Sequence, residues 1–150
     1  IGYNPKIILA GRDINASMSR YVSLNLIRLM KKKSIKISGA RILIMGLTFK
    51  ENCPDVRNSK VLEIITYLKK YGCKIDICDP WINKSDAILE HNISSTKKII
   101  SKKYDAIILA VAHKQFKKMK GSEYIKFCKK NHVIYDLKYM LPKEWSDLRL

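Results

Sequence analysis

Lys50, Asp55 and Arg57 stand within eight positions of one another, inside the run Gly46-Leu47-Thr48-Phe49-Lys50-Glu51-Asn52-Cys53-Pro54-Asp55-Val56-Arg57-Asn58-Ser59-Lys60. A lysine ammonium pairs with a diphosphate or a sugar hydroxyl as a point charge, and a guanidinium grips phosphate through two parallel hydrogen bonds. The carboxylate of Asp55 has two readings of equal weight: it orients Arg57, or it caps a following helix with Asn58 and Ser59. Arginines are few in this lysine-biased chain, so drift is a poor account of Arg57. The apolar run Arg41-Ile42-Leu43-Ile44-Met45 before the loop predicts a buried strand. Val61-Leu62-Glu63-Ile64-Ile65-Thr66-Tyr67-Leu68 after it predicts an amphipathic helix. A polar loop between such elements lies at the carboxyl end of a parallel sheet, where open α/β sheets place their ligands. The helix that follows opens at its positive end, which favours anions.

The elements that must hold this loop follow from spacing. Apolar residues recur at helical intervals from about 12 to 30, after a lead-in over 1–10. That helix has more apolar faces than one small domain needs. A basic connector spans 31–38. Then come a strand at 41–46, a helix at 58–71, a strand at 74–78, helical turns at 84–90, a helix at 95–102, a strand at 105–111, helical turns over 114–129 and a strand at 132–136. Gly72 stops the first of these helices, and Asp79-Pro80 breaks the chain after the second strand. The alternation predicts an α/β, Rossmann-like, mostly parallel sheet with helices on both faces, preceded by a long connecting helix. Two parts are expected: 1–35, ending in the long helix, and 36–150, the sheet.

Length and composition set bounds. A chain of 150 residues suits a single sizeable core. No apolar run approaches the ~20 residues that cross a bilayer. The four cysteines lack metal-pair spacing and read as reduced, packing residues of a cytoplasmic protein; Cys53, in the loop, reads as a small residue in a tight turn. The net charge of +17 invites a nucleic-acid partner. Lysines far outnumber arginines, however, and they are scattered along several helices without interleaved aromatics. No nucleic-acid role is therefore expected.

The loop Gly-Leu-Thr-Phe-Lys-Glu-Asn-x-Pro-Asp-x-Arg-Asn-Ser resembles the signature of the UDP-glucose/GDP-mannose dehydrogenase family. It is most similar to the bacterial branch, of Vi polysaccharide type, that oxidises UDP-N-acetylhexosamines for surface polysaccharides. The resemblance extends to Ile8-Leu9-Ala10-Gly11-Arg12-Asp13-Ile14-Asn15, Asp79-Pro80, Ala110-Val111-Ala112-His113 and Tyr135-Asp136-Leu137-Lys138. It implies the UDP-sugar-binding domain of an NAD-dependent 6-dehydrogenase, which oxidises a sugar C6 alcohol to a carboxylate. It implies substrate contacts for Phe49, Lys50 and Lys138, and a reach by Arg57 to the NAD pyrophosphate. It also implies a homodimer through the 12–30 helix. The family's glycine-rich dinucleotide turn and catalytic cysteine segment do not occur in this sequence. The chain is thus expected to be a fragment resembling the last third of such an enzyme, inactive alone.

The remaining candidates are weaker. Asp79 sits where a dinucleotide fold takes a ribose hydroxyl, but an Asp-Pro turn is the better reading without the glycines. His113 suits a base or a ligand contact; without a placed partner, a loop histidine is favoured. His91 and His132 read as structural, and Trp81 and Trp145 as packing residues near turns. A stand-alone nucleotide-binding or regulatory module on the same sheet is the alternative function.

Overall fold

The computed structural model describes residues 5–82 and 99–150. The long helix α1 spans Lys6–Lys32, so it begins within the expected lead-in. After it come β1 (Arg41–Met45), α2 (Lys60–Lys70), β2 (Lys74–Cys78), β3 (Tyr104–Leu109), α3 (Lys114–Lys117), α4 (Gly121–Phe127) and β4 (Cys128–Asp136). A short 3-10 turn and β5 (Leu148–Arg149) close the chain. All pairings are parallel, in the order β2-β1-β3-β4-β5.

Both faces of the sheet are covered, as the unbroken apolar strands require. Ile42, Ile44, Ala106 and Ile108 point into one core with Val22, Leu26 and Met30 of α1 and Val61, Ile64, Ile65 and Leu68 of α2. Leu43, Met45, Ile107 and Leu109 point the other way, toward Phe116 and Tyr124. The α2 residues recur at i, i+3, i+4 and i+7, the spacing that keeps one helical face on the sheet. Ser59 caps α2 by accepting from the Val61 N–H at 3.3 Å. Gly72 ends the helix segment at φ +78°.

Differences from expectation have local causes. Four residues added at its start make β4 longer than the expected 132–136. The expected turns over 114–129 divide into α3 and α4, with Gly121 so close to Trp145 that a Cβ would stand 2.3 Å from its ring. β5 had no sequence signal; it is stitched on by Asp147, which donates its N–H to Ile134 O and accepts from Ile134 N–H. The turns at 84–90, the start of the 95–102 helix and His91 lie outside the described residues. The described end of that helix is a turn, not a helix: Lys102 has φ 54°, and the N–H groups of Lys102 and Lys103 bond to Lys126 and Phe127.

Only part of α1 serves this core. Its residues from Ser19 to Met30 supply the buried face, whereas Ile7, Ile8 and Ile14 are exposed at 89%, 62% and 64%. The basic residues are less scattered than their sequence positions imply. Because the strands are parallel, strand starts and helix ends share one edge of the sheet. Arg41 and Lys74 open strands there, and Lys31, Lys32, Lys69 and Lys70 close helices. Lysine at a helix carboxyl end is favoured by the macrodipole. No helix among the described residues is long and apolar enough to cross a membrane.

Candidate functional site

The signature loop leaves β1 at Gly46, whose φ is +94°. A Cβ there would lie 2.5 Å from the Cβ of Val111 and 2.8 Å from its backbone nitrogen. Glycine is thus required both by the dihedral and by the approach of the β3 end. Two asparagines take left-handed turns further on, Asn52 at φ 57° and Asn58 at φ 60°. Asparagine tolerates that region better than most residues. Across Asn52, the Phe49 N–H donates to Asp55 O at 2.8 Å and closes the loop on itself.

Beneath the loop lies a buried polar cluster. Asp79 is turned inward: its Oδ2 accepts from the Leu47 and Thr48 N–H groups at 2.7 and 3.2 Å, and its Oδ1 from the Trp81 N–H at 2.8 Å. His113 is fully buried, with Nε2 3.0 Å from Asp79 Oδ2. Asp79 is therefore more than the expected Asp-Pro turn, and its carboxylate is engaged away from any ribose. A second inward carboxylate, Asp136, performs the same task at the end of β4. It accepts from the Lys138 and Leu141 N–H groups at 3.0 and 2.8 Å. Satisfying a buried carboxylate with backbone donors fixes the loop that carries them.

On top of these supports, Phe49, Lys50 and Lys138 line one groove of about 350 Å³, with Lys60 at the first turn of α2. The three expected contact residues are thus brought together from two strand ends. Phe49 is 55% exposed, and the Lys50 ammonium lies 5.8 Å from its ring centroid. Glu51, which also lines the groove, is bound by Lys117 at 2.8 Å. The Lys60 ammonium is bound by Glu63 at 2.7 Å, so Lys50, Lys138 and the helix amino terminus are what suit the groove to an anion. Sequence reasoning passed over Lys60, Thr48, Asn52 and Asp136. Lys60 had a signal, since it follows the loop directly at the helix start.

Arg57 stands apart from the groove. Its Nε and Nη2 donate to the two oxygens of Asp55 at 3.0 and 2.9 Å, and its N–H to Oδ1 at 3.0 Å. Of the two readings for Asp55, the geometry gives the first: it orients Arg57, while the side chain of Ser59 caps α2. The guanidinium hydrogen bonds bring the Asp55 carboxyl from its ordinary 3.8 down to about 2. Cys73, Cys78 and Cys128 are pushed up, to about 11, 11 and 12, chiefly by burial, which leaves them as packing thiols. A larger hollow, about 720 Å³, lies at the amino edge beside Lys102, Lys126 and Lys130. No signature residue lines it.

The model of the UDP-glucose/GDP-mannose dehydrogenase family's UDP binding domain matches residues 43–143. The chain belongs to this family. It is 53% identical to a UDP-N-acetyl-D-glucosamine 6-dehydrogenase of Salmonella typhi, matched across the whole chain and 35% of that protein. It is 50% identical to the enzyme of the same description from Pseudomonas aeruginosa, covering 36% of it. The chain thus spans about a third of these dehydrogenases. A UDP-D-ManNAc dehydrogenase of Pyrococcus horikoshii shares the fold, with TM-score 0.78 and 22% identity over 99% of this chain and 34% of that one.

Proposed function

We propose that this chain is the UDP-sugar-binding part of an NAD-dependent UDP-N-acetylhexosamine 6-dehydrogenase that supplies a precursor for surface polysaccharide. The observation that carries this is the groove that Phe49, Lys50 and Lys138 line together beside the amino end of α2. Lysines there balance the diphosphate, and the exposed ring of Phe49 offers a flat apolar face to the base or sugar. Binding energy from the remote UDP group then holds the sugar C6 in place for chemistry supplied elsewhere in the enzyme.

NAD accepts hydride when bound. The β1 loop of this domain is no cradle for it, since the Leu47 and Thr48 N–H groups are already taken by Asp79. Arg57 is suited to touch the pyrophosphate from outside the groove, because Asp55 presents its guanidinium at an exposed position. The exposed apolar residues Ile7, Ile8 and Ile14 give α1 a surface for the homodimer, on a stretch that begins before the expected 12–30. The reduced cysteines suit the cytoplasm. Basic residues that end helices are accounted for by the macrodipole, with no nucleic-acid partner.

Calorimetric titration of the chain with UDP tests this reading. UDP should bind, and Lys50→Ala should weaken it about tenfold, a loss of about 1.4 kcal/mol. Arg57→Ala should leave UDP binding nearly unchanged. A chain that binds no UDP, or a Lys50→Ala variant that binds as well as the parent, defeats the proposal.

A further inference from the structure

We propose that His113 is a positioning residue for the substrate-binding arch Phe49-Lys50-Glu51, holding both of its ends through the two nitrogens of one ring. This rests on the reading that the arch meets the UDP-sugar. Nδ1 of His113 lies 2.9 Å from the backbone nitrogen of Asn52, so it accepts. The ring hydrogen is thereby assigned to Nε2, between Asp79 Oδ2 at 3.0 Å and Thr48 Oγ1 at 3.1 Å. The Thr48 hydroxyl donates in turn to the Lys50 carbonyl at 2.9 Å. One imidazole therefore sets the residue before the arch, the residue after it and, through Thr48, its central carbonyl.

The surroundings leave the ring no freedom. His113 is fully buried, Trp81 stacks on it at 6.4 Å and Phe116 meets it edge-on at 5.6 Å. Asn52 is held from its other side too, as its Oδ1 accepts from the Lys114 N–H at 2.9 Å. With both nitrogens engaged inside the protein, His113 does not serve as a base for substrate. Its contribution is the pose of Lys50 on the arch above it. A backbone already fixed beneath Lys50 leaves less of the loop to be ordered when a ligand binds.

Two substitutions divide the pin. His113→Asn retains an acceptor near Nδ1 and loses the Nε2 donor; His113→Gln places an amide near Nε2 and loses the Nδ1 acceptor. Ile107→Val, in the middle of β3, serves as a control that loosens the core without touching the arch. Each is titrated with UDP well below its unfolding temperature, and amide hydrogen exchange is followed without ligand. Both histidine variants should bind UDP about tenfold more weakly. The Phe49 and Asn52 amides should exchange at least tenfold faster relative to those of β1. Ile107→Val should show neither change. Unchanged arch exchange in folded histidine variants, or equal weakening in Ile107→Val, overturns the proposal. If the parent binds no UDP, the functional reading fails, while exchange still judges the pin. Should the histidine variants not fold, Thr48→Val removes the hydroxyl that joins the ring Nε2 to the Lys50 carbonyl, and undiminished UDP binding there overturns the proposal equally.

Discussion

The two edges of the sheet hold their carboxylates with different sets of partners. At the carboxyl edge, Asp79 and Asp136 are buried, and the bonds they accept from Leu47, Thr48, Trp81, Lys138 and Leu141 come from backbone N–H groups. At the amino edge, Asp76 and Asp105 meet the lysine ammonium groups of Lys103 and Lys129 at 2.6 and 2.8 Å, and Asp105 has a single backbone donor beside its lysine, the Arg41 N–H. Backbone donors cannot swing away, so a carboxylate bound to them dictates the path of a loop. An ammonium on a flexible stem dictates little. The edge whose buried carboxylates each gather two or more backbone donors is the one that carries the signature loop, and the shape of the groove is determined from below.

The largest consequence falls on Asp79. Asp79→Ala would leave the donors of Leu47, Thr48, Trp81 and His113 without their acceptor in a buried place. The expected loss is about 3–5 kcal/mol, a large part of the stability of a domain this size. Urea unfolding checks it. A loss below about 1 kcal/mol would erase the contrast between the edges.

The centre of the sheet was legible because β1 and β3 are apolar on both faces, and α2 because it carries the i, i+3, i+4 stripe. Val61, Ile64, Ile65 and Leu68 announce α2 before any contact is known. The groove was legible in Phe49, Lys50 and Lys138 through resemblance, since nothing in local spacing links 50 to 138. The supports beneath it were not. His113 lies 65 residues from Thr48 and 34 from Asp79, so local pattern carries no sign that they meet. Asp136 acts locally, on Lys138 and Leu141 two and five residues on. Its burial, which sets it apart from a surface acid, becomes visible only in the fold.

The amino edge supplies the weaker half of the comparison. Lys129→Ala removes an ammonium that lies 2.8 Å from Asp105 and is itself about half exposed. Asp105 keeps the Arg41 N–H at 2.8 Å. The expected loss is under about 1 kcal/mol, and it should shrink further in high salt. Urea unfolding at two salt concentrations checks this. A loss as large as that of Asp79→Ala would show that lysine partners shape this edge as firmly as backbone donors shape the other.

The smallest effect belongs to the exposed pair on the signature loop. Asp55 has its carboxyl held at about 2, below its ordinary 3.8, first by the side-chain hydrogen bonds from Arg57 and then by the Arg57 N–H. A depressed carboxyl pKa stabilises the folded form fully above the unfolded value, and that contribution is lost as pH falls through the folded one. The pair should therefore be intact at neutral pH and fade only between 3.8 and about 2. Carboxyl NMR titration of the chain, with Arg57→Ala beside it, reads this directly. In the variant the Asp55 midpoint should rise toward 3.8 while global unfolding hardly moves. A midpoint that stays near 2 without the guanidinium would mean that the loop backbone, as at Asp79, holds this carboxylate too, and the contrast would then lie between loops rather than between edges.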